Sequence, residues 1–167
     1  ADQLRGTSRA TVADLVRIVE HGVTPRYLAD LTALGYRVSG DELVRLRDHG
    51  VSADFIRAMQ SAGFKNSSAD ELVRLRDHGV SQEYVADLGA HGYKSLSAEE
   101  LIRLRDHGVR ASFVDDLARN GYKNLSADDL VTLRDHGVSV AFIERLKAHG
   151  YTNVSVRDLI RLRDSGI

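Results

Sequence analysis

One segment of 29 residues recurs along most of this chain, and its periodicity limits what the chain can fold into. The clearest copy is residues 68–96, SADELVRLRDHGVSQEYVADLGAHGYKSL. The glycine that follows LRDH recurs at 29-residue intervals, at Gly50, Gly79, Gly108 and Gly137. Self-similarity with a period of about 20 to 50 residues is typical of stacked repeat proteins. We therefore expect an array of structurally equivalent units.

Each copy of the repeat has the pattern of two short helices. The first half opens with a capping box, Ser68 followed three residues later by Glu71, in which each side chain bonds the other residue's backbone N–H. An apolar stripe with helical spacing follows, and Gly79 is the residue type that ends a helix. The second half runs from Ser81 to a second glycine, Gly92. We call the first half helix A and the second half helix B.

The fold class predicted from this pattern is all-α, an α-solenoid of stacked helical hairpins. Helix A is expected at Thr11–His21, Ser39–His49, Ser68–His78, Ser97–His107, Ser126–His136 and Ser155–Ser165, and helix B at Thr24–Leu34, Ser52–Ala62, Ser81–His91, Arg110–Asn120 and Ser139–His149, caps included. One such hairpin buries too little apolar surface to stand alone, so hairpins must stack. Residues 1–10 are expected to be a decayed half-repeat or a tail, and residues 11–167 a single solenoid of about five and a half repeats.

Composition excludes several classes of protein. The absence of cysteine excludes disulfides, thiolate metal sites and cysteine nucleophiles. The formal net charge is −1, so there is no overall basic field to attract nucleic acid. No stretch approaches the roughly 18 apolar residues of a membrane span. None of these features decides the cellular compartment.

All seven histidines stand directly before a helix-ending glycine. Five close A helices and two close B helices: His21, His49, His78, His107 and His136, then His91 and His149. A histidine there can bond a free carbonyl and complement the negative end of the helix. One histidine per repeat is too sparse for ligands that must lie about 2 Å from a single metal. We therefore expect capping, with no metal site.

The ten aromatic residues occupy only two positions of the repeat. Five lie early in helix B and five follow its terminal glycine: Tyr27, Phe55, Tyr84, Phe113 and Phe142, then Tyr36, Phe64, Tyr93, Tyr122 and Tyr151. Aromatic residues in such a regular pattern indicate core packing rather than a platform for stacking bases.

Helix A carries two rows of arginine and one row of aspartate. We call them the Arg17 row (Arg17, Arg45, Arg74, Arg103, Arg161), the Arg47 row (Arg47, Arg76, Arg105, Arg134, Arg163) and the Asp48 row (Asp48, Asp77, Asp106, Asp135, Asp164). We expect a ladder in which an arginine of one repeat meets an aspartate of the next, each exposed pair contributing ~0–1 kcal/mol. The alternative is a basic stripe that follows a phosphate backbone, extended by Arg37, Lys65, Lys94 and Lys123. The interleaved carboxylates argue against nucleic acid.

Catalytic motifs are missing from the sequence. It contains no H-E-x-x-H zinc motif, no G-x-S-x-G motif and no glycine-rich phosphate loop after a strand. Adjacent acid and histidine pairs occur in every repeat, whereas an active site is usually unique within a chain. We therefore expect a protein that is not an enzyme, without catalytic residues or cofactor.

The two helices differ in how their outer polar positions vary. The outer polar residues of helix A are almost the same in every copy, whereas those of helix B differ from copy to copy. Either neutral drift or recognition of an extended partner would explain this variation. The candidate partner-binding residues are Asp30, Arg57, Gln60, Asp87, Asp115, Asp116, Glu144, Arg145 and Lys147. The function predicted is a non-catalytic scaffold that binds protein or peptide. The alternatives are a spacer or oligomerisation module that self-associates end to end, and a nucleic-acid binder using the arginine and lysine rows.

The LRDHGV and HGY elements resemble short tandem helical-pair repeats at the C-terminal side of bacterial membrane sensors of the zinc-metallopeptidase type, which regulate β-lactamase expression. The resemblance covers residues 11–167. It implies an accessory domain of a larger bacterial protein that offers an interaction surface. The zinc motif and membrane helices of those sensors do not occur in this sequence, so the resemblance implies no catalytic residue.

Overall fold

The computed structural model describes residues 12–166, which form eleven α-helices of nine residues each and no strand. The A helices are α1 (Val12–Glu20), α3 (Gly40–Asp48), α5 (Ala69–Asp77), α7 (Ala98–Asp106), α9 (Ala127–Asp135) and α11 (Val156–Asp164). The B helices are α2 (Pro25–Ala33), α4 (Ala53–Ser61), α6 (Gln82–Ala90), α8 (Ala111–Arg119) and α10 (Val140–Ala148). The predicted all-α class is confirmed, with the expected caps flanking these helices. The expectation for residues 1–10 and the predicted cap Thr11 lie outside the described residues.

Side-chain caps determine where the helices begin. The Ser39 hydroxyl accepts from the backbone N–H of Glu42 at 3.3 Å, and the Glu42 carboxylate accepts from the backbone N–H of Ser39 at 2.7 Å. The backbone N–H of Ser39, assisted by its hydroxyl, lowers the pKa of Glu42 from its ordinary value. The same reciprocal box occurs at Ser97 and Ser126. The capping box expected in the repeat is therefore confirmed in these three copies. In the copy that begins at Ser68, the Ser68 hydroxyl accepts from the backbone N–H of Glu71 at 3.1 Å.

Glycine ends helix A and turns the chain into helix B. At the end of α7, the N–H of Val109 bonds the carbonyl of Leu104 at 2.8 Å, and the N–H of Gly108 bonds the carbonyl of Arg105 at 3.1 Å. This bonding pattern is a Schellman motif, and it needs the left-handed conformation that Gly108 adopts at φ +68°. Val109 is only 1% exposed, so the turn also anchors an apolar side chain in the core.

The chain divides into two compact units, residues 1–76 and 77–167. In the described part of the first unit, α1 packs on α3 and α2 packs on α4. In the second unit, α7, α9 and α11 pack in succession, as do α6, α8 and α10. Within each unit, A helices therefore stack on A helices and B helices on B helices, as expected for a helical-hairpin repeat. None of the helices in residues 12–166 has the length and apolar character needed to span a membrane.

Candidate functional site

The Arg47 row joins consecutive repeats through aromatic rings. The guanidinium carbon of Arg47 lies 5.6 Å from the Tyr27 ring centroid, and Arg47 Nε donates to the Gly22 carbonyl at 3.0 Å. The arginine therefore covers the ring of the preceding helix B and also caps the end of the preceding helix A. The same ring contact occurs for Arg76 with Phe55, Arg105 with Tyr84, Arg134 with Phe113 and Arg163 with Phe142. This contact was not predicted from the sequence, although both partners recur with the same 29-residue period.

The aromatic residues early in helix B are buried, which confirms the prediction of core packing for them. The hydroxyl of Tyr84 donates to the Val109 carbonyl at 2.8 Å. Burial raises the pKa of Tyr84 to about 12, although the charge of Arg105 opposes the shift. The aromatic residues that follow helix B are half-buried, except Tyr151, which is 61% exposed. For Tyr151 the prediction of core packing is wrong, because no following hairpin covers it within the described residues.

The raised pKa of Tyr84 predicts a loss of stability in alkaline solution. The folded state favours the neutral phenol, so its stabilising contribution is complete below about pH 10 and is lost as the pH rises towards about 12. Tyr84→Phe should therefore flatten the decline of the urea midpoint between about pH 9 and pH 11.5. Phe55 occupies the same repeat position, so phenylalanine is compatible with the fold. Equal declines in both proteins would show that Tyr84 is not responsible.

Three arginines of the Arg17 row connect an A helix to the first turn of the next. Arg17, Arg45 and Arg103 pair with Asp41, Asp70 and Asp128, respectively. The Nη1 of Arg103 lies 2.6 Å from the Asp128 carboxylate. An arginine of one repeat therefore meets an aspartate of the next in these three pairs, as predicted, but the prediction that the Asp48 row supplies the aspartates is wrong.

The Asp48 row instead accepts hydrogen bonds from histidines of the preceding repeat. Nδ1 lies 2.8 Å from the carboxylate in the pairs His21–Asp48, His78–Asp106 and His136–Asp164, and 2.6 Å in His107–Asp135. A carboxylate only accepts, so Nδ1 carries the proton in these pairs. His107 and His136 occupy the C-cap position as predicted, but the prediction that the side chain bonds a free carbonyl is wrong for these four histidines. The glycine turn already bonds carbonyls at the end of helix A, and the next helix presents a carboxylate.

The capping prediction is confirmed for the two histidines of helix B. Nδ1 of His91 bonds the Asp87 carbonyl at 2.8 Å, and Nδ1 of His149 bonds the Arg145 carbonyl at 3.2 Å. Helix B has no aspartate at the position of the Asp48 row, so Nδ1 of these side chains bonds their own helix. Nε2 of His91 also lies 3.9 Å from the carboxylate of Asp115 on the next helix B. Among residues 12–166, no three histidine, aspartate or glutamate side chains come together as a group able to hold a metal ion.

Seven of the candidate partner-binding residues lie on the outer side of helix B, and we call them the helix B face: Asp30, Arg57, Asp87, Asp115, Asp116, Glu144 and Arg145. Their ion pairs are mostly with charges on the same helix, and Asp115 also lies 3.9 Å from His91 of the preceding repeat. Arg57 pairs with Asp54, and Arg119 pairs with Asp115 and Asp116. Asp54 and Arg119 were not predicted from the sequence as part of this surface, although their spacing of three or four residues from an opposite charge is typical of helix-surface pairs.

Gln60 and Lys147 lie where one helix B stacks on the preceding one. Gln60 Nε2 donates to the Leu34 carbonyl at 3.0 Å, and Lys147 Nζ donates to the Asn120 carbonyl at 2.8 Å. Both acceptors are C-cap residues of the preceding helix B. These two candidates therefore serve the junction between hairpins, and they are only partly exposed.

Comparisons of this chain with protein-family models, with curated proteins and with solved structures found no match.

Proposed function

We propose that this chain is a non-catalytic scaffold that binds a protein or peptide segment through its helix B face. The observation that supports the proposal is that the polar side chains of helix A and of helix B have different kinds of partner. In helix A, the repeated polar residues bond the neighbouring repeat, as in Arg103–Asp128 and His107–Asp135. On the helix B face, Arg57, Asp115 and Asp116 form ion pairs with partners on their own helix. Apart from Asp115, which also lies 3.9 Å from His91 of the preceding repeat, residues of that face can therefore differ between copies without loss of an ion pair across a junction.

The charges of the second unit define the kind of partner. Asp87 on α6 is exposed, and Asp115 and Asp116 on α8 are half-exposed. Arg119 compensates part of the charge of the two α8 carboxylates. The remaining negative charge favours a partner segment that carries lysine or arginine, since opposite charges steer association and select the partner.

Neutralising these three carboxylates should weaken partner capture. We expect the triple variant Asp87→Ala, Asp115→Ala and Asp116→Ala to capture about tenfold less of a specific protein from a bacterial extract, given ~0–1 kcal/mol for each exposed pair. Alanine stands at equivalent positions in other copies, at Ala58 and Ala86, so the variant should keep its fold. Circular dichroism would check this.

A matched control separates this proposal from nucleic-acid binding. Lys94→Ala with Lys123→Ala removes two exposed loop charges from the same unit. Capture should survive both this double variant and nuclease treatment. Capture that is abolished by nuclease, or by the lysine changes alone, would favour nucleic acid. Equal capture by the natural chain and the triple variant would contradict a role for these carboxylates.

A further inference from the structure

Three arginines of the Arg47 row lie on consecutive A helices of the second unit, and their side chains are exposed: Arg105 on α7, Arg134 on α9 and Arg163 on α11. Within residues 12–166, no carboxylate lies within ion-pair distance of any of the three. By contrast, Arg103, two residues before Arg105, is paired with Asp128. The positive charges of these three members of the row are therefore available to a ligand.

Each of the three guanidinium groups is held in place by the preceding repeat. Its central carbon lies 5.2 Å (Arg105), 5.1 Å (Arg134) or 5.8 Å (Arg163) from the centroid of a buried ring on the preceding helix B. Nε of Arg163 also donates to the Gly137 carbonyl at 3.1 Å, and its two Nη groups bond nothing else in the described part of the chain. A planar guanidinium binds a carboxylate or phosphate through two parallel N–H bonds, and one already fixed by its surroundings loses little side-chain entropy on binding.

Aspartates stand next to these arginines but do not pair with them. Asp106, Asp135 and Asp164 each follow an arginine by one residue and accept a hydrogen bond from a histidine of the preceding repeat. Their charges repel an anion that approaches close to them. A nucleic-acid strand carries a charge on every nucleotide, roughly every 3.4 Å along a duplex, so some phosphates would lie close to these aspartates. The pattern instead favours a ligand whose negative charges are separated by neutral residues.

The interval between the three arginines follows from the packing of their helices. α7, α9 and α11 pack in succession, and the axes of helices that pack side by side lie about 8–10 Å apart. A polyproline II segment has three residues per turn and rises about 3.1 Å per residue, so every third side chain lies on one side at intervals of about 9 Å. A β-strand does not match, because its side chains on one face recur about every 6.6 Å.

We propose that Arg105, Arg134 and Arg163 bind an acidic peptide segment in the polyproline II conformation, with glutamate or aspartate at every third residue. Each arginine takes one carboxylate, and the two residues between successive carboxylates carry no charge. The site lies on the A helices and takes a partner of opposite charge to the one proposed for the helix B face. It is therefore independent of the proposed function.

Two synthetic peptides test the spacing of the carboxylates. The probe has four Pro-Pro-Glu triplets, and the control has the same composition with its four glutamates side by side in the centre. In a titration followed by NMR of the ¹⁵N-labelled chain, the probe should shift the arginine Nε–H signals with a Kd below about 1 mM. The control should bind about tenfold more weakly, since it cannot offer a separate carboxylate to all three arginines. Equal affinities would overturn the proposal, and so would an absence of binding by the probe.

Two matched variants test which arginines take part. Arg105→Gln with Arg163→Gln removes two members of the proposed site, and Arg103→Gln with Arg161→Gln removes two charges of the Arg17 row from the same helices. The first variant should bind the probe about tenfold more weakly, and the second less than about threefold more weakly. Equal losses would overturn the proposal, because net charge alone would then explain the binding. Circular dichroism would check both folds, and the comparison of the two peptides on the natural chain depends on neither variant.

Two further measurements separate this site from other binding sites. The triple variant Asp87→Ala, Asp115→Ala and Asp116→Ala should bind the probe at least as tightly as the natural chain, because the helix B face is not involved. Oligodeoxythymidine of roughly twelve nucleotides should bind more weakly than the probe at about 150 mM salt. Tighter binding of the oligonucleotide would overturn the proposal, as would loss of probe binding in the triple variant.

Discussion

Leu104→Ala is expected to lower the free energy of unfolding by about 3–4 kcal/mol. Leu104 lies in α7 with 0% exposure, and its carbonyl accepts the bond that closes the turn after Gly108. Truncation returns the free energy gained when these methyl groups left water. It also leaves a cavity between helices that pack side by side, so van der Waals contacts are lost as well. Urea unfolding followed by circular dichroism measures the change.

The matched control is Leu162→Ala, at the same repeat position in α11. Leu162 is only partly buried, because no further helix covers α11 within the described residues. We expect this change to lower the free energy of unfolding by about 1 kcal/mol, because less buried apolar area is lost than at Leu104. Equal costs at the two positions would mean that stacking of neighbouring hairpins is not what stabilises the repeat.

Arg47→Ala is expected to lower the free energy of unfolding by about 1–2 kcal/mol, which is more than an exposed arginine normally contributes. The change removes the contact with the Tyr27 ring and the hydrogen bond from Nε to the Gly22 carbonyl. Arg47→Lys should recover less than half of the loss, because an ammonium group cannot both lie flat on the ring and donate from Nε. The measurement is the urea midpoint at constant m-value.

Arg26→Ala provides the comparison for a surface arginine. Its side chain is 92% exposed and lies 4.0 Å from Asp30, so we expect a change within about 0.5 kcal/mol. If Arg47→Lys were as stable as the natural chain, charge alone would explain the Arg47 row, and the ring contact would contribute nothing.

The helices could be predicted from the sequence because the signals that form them are local. Ser97 bonds the third residue after it, and Gly108 supplies a left-handed residue where helix A ends, so these positions mark helix limits without knowledge of any neighbour. The period predicted the stacking of equivalent hairpins. The outer position of the helix B face likewise followed from the spacing of its polar residues.

The partners across each junction required the tertiary structure. The sequence places His107 and His91 alike before a glycine, yet Nδ1 of His107 bonds Asp135 of the next helix whereas Nδ1 of His91 bonds a carbonyl of its own helix. Similarly, Arg103 and Arg105 stand two residues apart, and one meets a carboxylate while the other covers the ring of Tyr84. Local signals depend on separations of three or four residues, which backbone geometry determines. These partners lie 21 to 28 residues apart, and only the packing of one helix on the next decides which groups meet.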